Sequence, residues 1–298
     1  MMCQTRLLTC KVTLEVRFLD IRCHHLNLNT EGGRFFTIHF SLFTIEMTIQ
    51  TALTDYTLRL ADTSLILGHR ISEWCGHGPA LEQDIALSNI ALDLIGQARN
   101  YYQYAAELEG NNRTEDDLAY LRDERAYRNV LLVELPNGDF GKTIMRQFLF
   151  DAFHVPFLEI LQHSQDDKLA AIAQKSLKEA RYHLKWSSEW VIRLGDGTEE
   201  SHKRVQQSLN DLWAFTGELT TPNATDKILL DFNIAPDLVS LQPIYEQTIT
   251  AVMKEATLTL PTKTWMQKGG KEGIHTEYLG FILAEMQHLQ RTYPNCEW

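Results

Sequence analysis

The sequence predicts an all-α chain: an antiparallel helical bundle in one domain, with supplementary helices toward the C-terminal end. Three observations carry this. From Thr51 onward apolar residues recur at three- and four-residue steps, the spacing that gathers side chains on one face of a helix. The periodic segments open on acids or capping residues, and several close on glycine, as helix ends favour. Finally, no βαβ alternation and no internal repeat of roughly 20–50 residues interrupts the run.

Residues 1–46 stand apart. They hold Cys3, Cys10 and Cys23, show no sustained helical period, and carry about +1 in a chain whose net charge is −11. Alternation over Lys11–Phe18 predicts a short strand. No secretory leader is recognisable there. The break in composition predicts that Met47 is the true start and that 1–46 is an upstream extension, with 47–298 as the helical domain.

The first helix expected is capped by Asp55, runs through Leu58, Leu60, Leu65, Ile66, Leu67 and Ile71, and stops at Cys75-Gly76-His77-Gly78-Pro79. The second, Leu81 to Gly110, is the longest periodic segment. Ile85, Leu87, Ile90, Leu92, Leu94, Ile95, Ala98, Tyr101, Tyr102, Ala105 and Leu108 form its expected core face. Thr114 and Asp117 form a variant capping box for a helix to about Val133, and Pro136-Asn137-Gly138-Asp139 is a turn. The next helix spans about Phe140 to His163, with Pro156 expected to kink or divide it. Asp166-Asp167 start a helix to Leu194, closed by Gly195-Asp196-Gly197, and Thr198 opens another to Leu219. Thr220–Asp237 reads as a long connection or partner-facing loop. Two further helices fit about Leu238–Leu258 and Glu272–Tyr293.

The acidic balance argues against nucleic-acid binding, which needs clustered Lys and Arg. The longest apolar run, Phe35 to Ile45, is short of the roughly 20 residues that span a bilayer, so no membrane association is expected. Five cysteines without Cys-x-x-Cys spacing point to a reducing cytoplasm. Gly269-Gly270-Lys271-Glu272-Gly273 lacks the phosphate-loop spacing and reads as a flexible basic turn. Asn112-Arg113-Thr114 and Asn223-Ala224-Thr225 read as ordinary loop polars. The mixed charges of Leu121–Arg128 suggest a solvated or partner-facing surface. Trp74, Trp186, Trp190, Trp213 and Trp265 are expected in the core or a subunit interface.

The chemistry-bearing set is Glu73, Asp93, Gln97, Asp151, His154, Glu179 and His183, all expected to face inward. A di-iron bundle takes a carboxylate from each of two helices and a Glu-x-x-His from each of two others, because i and i+3 place oxygen and nitrogen donors on one inward face. Here that register reads Leu94-Ile95-Gly96-Gln97, and leucine cannot ligate a metal. On the later helix, aligning Glu179 places Tyr182 where histidine belongs, and aligning His183 places Ala180 where glutamate belongs. The expectation is a hydrogen-bonded network of Asp, His and Gln without metal. The alternative is an independent ferritin-like metal-dependent oxygenase using Asp151, His154, Glu179 and His183.

Several long segments in order resemble the C subunits of phenylacetyl-CoA epoxidase, also called phenylacetate-CoA oxygenase. They are SEWCGHGPALEQDIALSNIALDLIGQARNYYQYAAELEG (72–110), RDERAYRNVLLVELPNGDF (122–140), KEARYHLKWSSEWVIRLGDGTEES (178–201) and GGKEGIHTEYLGFILAEMQHLQR (269–291). The resemblance covers Met47 to Trp298. It implies a ferritin-like, non-catalytic structural subunit, related to the catalytic A subunit, whose helix carries Asp-Glu-x-Gly-His in place of Asp93-Leu94-Ile95-Gly96-Gln97. It implies pairing with that di-iron A subunit, assembly with the small B subunit, and electrons from a reductase holding flavin and an iron–sulfur centre. The complex inserts one oxygen atom of O2 across the aromatic ring of phenylacetyl-CoA. No catalytic residue and no cofactor is carried over to this chain.

Overall fold

A computed structural model describes residues 33–294 and 296 of the chain. The expected strand at Lys11–Phe18 lies outside the described residues. The chain divides into two units, Met1–Glu46 and Met47–Trp298, and the core of the helical bundle belongs to the second.

The fold is all-α and ferritin-like, and no strand occurs among the described residues. Four long helices make the bundle: α1 (Gly33–Ser72) from Met47 onward, α2 (Leu81–Glu109), α5 (Phe140–Leu161) and α6 (Asp167–Gly195). Between α2 and α5 lie the short α3 (Glu115–Tyr120), a 3-10 turn (Glu124–Ala126) and α4 (Leu131–Glu134). Cross-helix hydrogen bonds fix the direction of neighbours. Tyr102 on α2 donates to Asp62 on α1, and Gln50 donates to the Leu108 carbonyl, so α1 and α2 run antiparallel. The pairs Gln97–Glu179 and Tyr104–Asp166 do the same for α2 and α6, and Ser187–Asp151 with Arg181–Glu159 for α6 and α5.

Helix α5 is the central element, buried without a break from Thr143 through Leu158. A helix apolar on nearly all sides has to be enclosed. Ile144, Phe148, Leu149 and Leu158 are fully buried, each stabilising the fold by roughly 1.5–3 kcal/mol relative to exposure. Pro156 does not divide it: the helix continues to Leu161. The supplementary helices are α7 (Glu199–Trp213), α8 (Gly217–Thr220), α9 (Ala224–Asp231), α10 (Leu238–Glu255), α11 (Glu277–Met286) and α12 (His288–Thr292), with a 3-10 turn at Gly270–Glu272. The capping boxes at Thr114/Asp117 and Thr198/Ser201 form, and Asp139 and Asp166 cap α5 and α6.

Several expectations are corrected, each by a tertiary contact. Asp55 caps nothing, because α1 runs through it with Ala52, Leu53 and Tyr56 already buried; its carboxylate meets Arg128 at 3.0 Å instead. The helix begun at Thr114 stops at Tyr120 rather than near Val133. Arg122 turns inward to Asp62, which also accepts the Arg128 backbone N–H at 2.8 Å, so the charged stretch 121–128 is anchored inside. The helix from Thr198 ends at Trp213, because Glu218 turns in to accept the backbone N–H groups of Leu131 and Gly269. The connection 220–237 contains α9, capped by an Asn223/Asp226 box.

The basic turn at 269–273 is packed, with Lys271 buried and bonded to the Thr221 carbonyl at 2.8 Å. A Cβ on Gly270 would lie 2.3 Å from the Asn129 carbonyl oxygen, so only glycine fits there. The last expected helix is two, α11 and α12, preceded by that turn. On α2, Ile85 and Leu92 face outward rather than into the core, and Trp265 is 81% exposed. Among the described residues no helix is long and apolar enough to cross a membrane.

Candidate functional site

The inner faces of α2, α5 and α6 bring together six of the seven sequence-selected residues. Asp151 and His154 sit one turn apart on α5, where the i,i+3 spacing puts both in the core. Glu179 and His183 are one turn apart on α6, and Asp93 and Gln97 one turn apart on α2. Antiparallel packing pairs them. The His183 Nε2–H donates to Asp93 at 3.0 Å, and Gln97 Nε2 donates to Glu179 at 3.2 Å. Asp93 and Glu179 are partly exposed, whereas His183 is enclosed. Glu73 is the exception. It lies beyond the end of α1, 43% exposed, and accepts from Arg70 at 2.9 Å and Asn137 at 2.7 Å. The expectation that it faces inward is corrected: a short Arg70 bridge at the bundle end holds it outside.

The partners of Asp151 were not among the residues selected from sequence. Gln147 donates to one carboxylate oxygen at 2.8 Å and Ser187 to the other at 2.9 Å. The signal was present in the i,i+4 spacings Gln147–Asp151 and His183–Ser187. Burial pushes the Asp151 carboxyl up from 3.8 to about 7, against the lowering effects of His183, Ser187 and Gln147. Burial, and then the neighbouring His183, lowers His154 to about 3, which holds its imidazole neutral.

The donor set does not fit a di-iron centre. Leu94 is fully buried at the register where a ligand would stand, and Gln97 is engaged with Glu179. Asp151 has both oxygens satisfied by protein donors. Among the described residues, no group of three or more His, Cys, Asp and Glu side chains is gathered so as to hold a metal ion. What the column does contain is orphaned polarity: Gln97 Oε1, Gln147 Oε1, His154 Nδ1, Ser176 Oγ and His183 Nδ1 are buried without a partner. Such atoms are ordinarily satisfied by internal water. Beside His154 a cavity of about 40 Å³ opens toward Arg59 and Lys271, walled by Phe150, Phe153 and Phe157. Its cations are already engaged: Asp226 pairs with Arg59 and lies 3.6 Å from Lys271.

The profile of the phenylacetic acid catabolic protein family matches residues 44–298. The chain is 52% identical over 246 residues to the C subunit of the 1,2-phenylacetyl-CoA epoxidase of Escherichia coli (strain K12), an alignment covering 83% of this chain and 99% of the relative.

Proposed function

The chain belongs to the phenylacetic acid catabolic protein family, and on that premise we propose that it is a non-catalytic structural subunit of a phenylacetyl-CoA 1,2-epoxidase in aerobic phenylacetate degradation. One observation carries the reading: likeness to an epoxidase C subunit across 99% of its length coincides with a core in which Leu94 and Gln97 occupy the positions of a ligand pair. Its role is to bury a helical face of the di-iron catalytic A subunit and hold that bundle in shape. The small B subunit joins the assembly, and a flavin and iron–sulfur reductase delivers the electrons, all in the cytoplasm. Within this chain Asp93, Gln97, Asp151, His154, Glu179 and His183 serve as a structural hydrogen-bond network.

The test is co-expression with an epoxidase A subunit, followed by light scattering and iron analysis. A stable complex, higher A-subunit solubility and iron in the A subunit are expected. Two independent monomers would sink the structural role. Near-stoichiometric iron in this chain alone, lost on His154→Ala or His183→Ala, would replace it with an independent metalloenzyme.

A further inference from the structure

Helix α6 departs from the charge of the chain around it. It carries six Lys/Arg against three acids in a protein of net charge −11. Three of its bases are paired, Lys168 with Glu107, Arg181 with Glu159 and Arg193 with Glu189. The other three, Lys175, Lys178 and Lys185, are exposed, and none has an ion-pair partner among the described residues. Steps of three and seven residues put them on one outward stripe together with Tyr182, which is 50% exposed.

The neighbouring helix presents the complementary feature. On α2, Leu81 (71%), Ile85 (51%) and Leu92 (67%) are exposed at intervals of four and seven residues. Gly96 continues the stripe, and a Cβ there would meet nothing within 4 Å. The bonds Asp93–His183 and Gln97–Glu179 set the register, so Leu92 and Gly96 lie beside Tyr182. The result is one continuous surface: an apolar stripe on α2, a tyrosine at the seam, and unpaired lysines along α6. Exposed apolar groups aligned with a single-sign border mark an association surface better than scattered leucines do.

We propose that this α2–α6 face docks another protein subunit through an apolar helix stripe bordered by Asp and Glu. A second copy of this chain is the poorer occupant: it brings the same lysine border to the contact, not an acidic one. The partner is therefore a different chain, and naming it as the catalytic A subunit rests on the proposed function. Docking there covers Asp93 and Glu179, the two partly exposed ends of the polar column, and removes them from water.

The experiment measures binding of the A subunit to the full chain by titration and sedimentation, with circular dichroism to show that each variant is folded. Leu92→Arg and the pair Lys178→Glu/Lys185→Glu should each weaken the complex at least about tenfold. The pair Lys227→Glu/Lys254→Glu, exposed on α9 and α10, should leave it unchanged. Raising salt from about 0.05 to about 0.5 M should weaken the wild-type complex more than the lysine-reversed one. A wild-type complex that both surface variants match in affinity overturns the docking face while leaving the subunit role standing. Failure of the wild type to bind at all overturns the functional reading, and the choice of partner with it. Dimerisation of the isolated chain that Leu92→Arg abolishes overturns the choice of occupant.

Discussion

His183 donates its Nε2–H to Asp93 across 3.0 Å, tying the enclosed face of α6 to a partly exposed carboxylate on α2. The bond leaves His183 Nδ1 buried without a protein partner. Removing the carboxylate with Asp93→Ala leaves the imidazole with no protein partner and should cost about 1–3 kcal/mol in urea unfolding. Asp93→Asn retains an acceptor and should cost less than Asp93→Ala. A cycle with His183→Ala should show a coupling of about 1 kcal/mol; simple additivity would mean that the bond does not hold the helices.

Asp151 reverses the usual behaviour of a carboxylate. Burial raises it from 3.8 to about 7, so the folded state holds its proton more tightly than the unfolded state. Stability from this group is full at low pH and falls as pH rises from about 4 to about 7, a penalty on the order of 4 kcal/mol above that range. His154 has the opposite sign: lowered to about 3, it contributes stability above its unfolded value, lost as pH falls toward 3. Asp151→Asn keeps the shape and an acceptor for Ser187. It should therefore gain on wild type between pH 5 and 8, read as a rising difference in urea midpoint. A constant difference would show that Asp151 is ionised throughout.

His275 locks the segment before α11 to α4. Its Nδ1 lies 2.9 Å from Glu134 and its Nε2 3.0 Å from the Tyr127 carbonyl, so both nitrogens face acceptors and the ring satisfies both only as an imidazolium. Burial alone lowers its pKa, but the Glu134 hydrogen bond and charge outweigh that and raise it. The contribution is then full below about 6.5 and lost as pH rises through the raised folded value. Amide hydrogen exchange at residues 270–277 should accelerate between pH 6 and 9 beyond the intrinsic base catalysis. His275→Gln should remove that excess and cost about 1–3 kcal/mol at pH 6.

The long helices are legible where periodicity survives in sequence because one face is buried, as in α2 and α6, whereas α5 is legible by its nearly unbroken apolar length. Their interruptions are not. Arg122 and Glu218 leave the helices expected there because distant partners, Asp62 and the N–H groups of Leu131 and Gly269, claim their side chains. No local pattern encodes those partners. Periodicity puts Ile85 and Leu92 in the core for a related reason: an apolar stripe reads alike whether it packs inside the chain or lies at its surface. At the site, residue type and spacing brought out the column on α2, α5 and α6. Residue type alone points to Glu73, and Ser187 gives no sign because a serine carries no signal until the carboxylate it serves is placed beside it.

Arg122 and Asp62 give the largest effect expected of a single substitution. Both side chains are enclosed, and the guanidinium also donates to the Ala126 carbonyl at 3.0 Å while lying over the Tyr127 ring. Asp62 takes Tyr102 and the Arg128 backbone N–H as further donors, so the pair joins α1, α2 and the 121–128 segment. Arg122→Met fills much of the space but strands a carboxylate in a low-dielectric interior, and should destabilise by roughly 3–5 kcal/mol at neutral pH. Pairing the change with Asp62→Leu should recover part of the stability, since an apolar replacement of both partners leaves no uncompensated charge. Chemical denaturation of the two variants at pH 7 measures this directly; a single variant as stable as wild type would mean that water reaches Asp62.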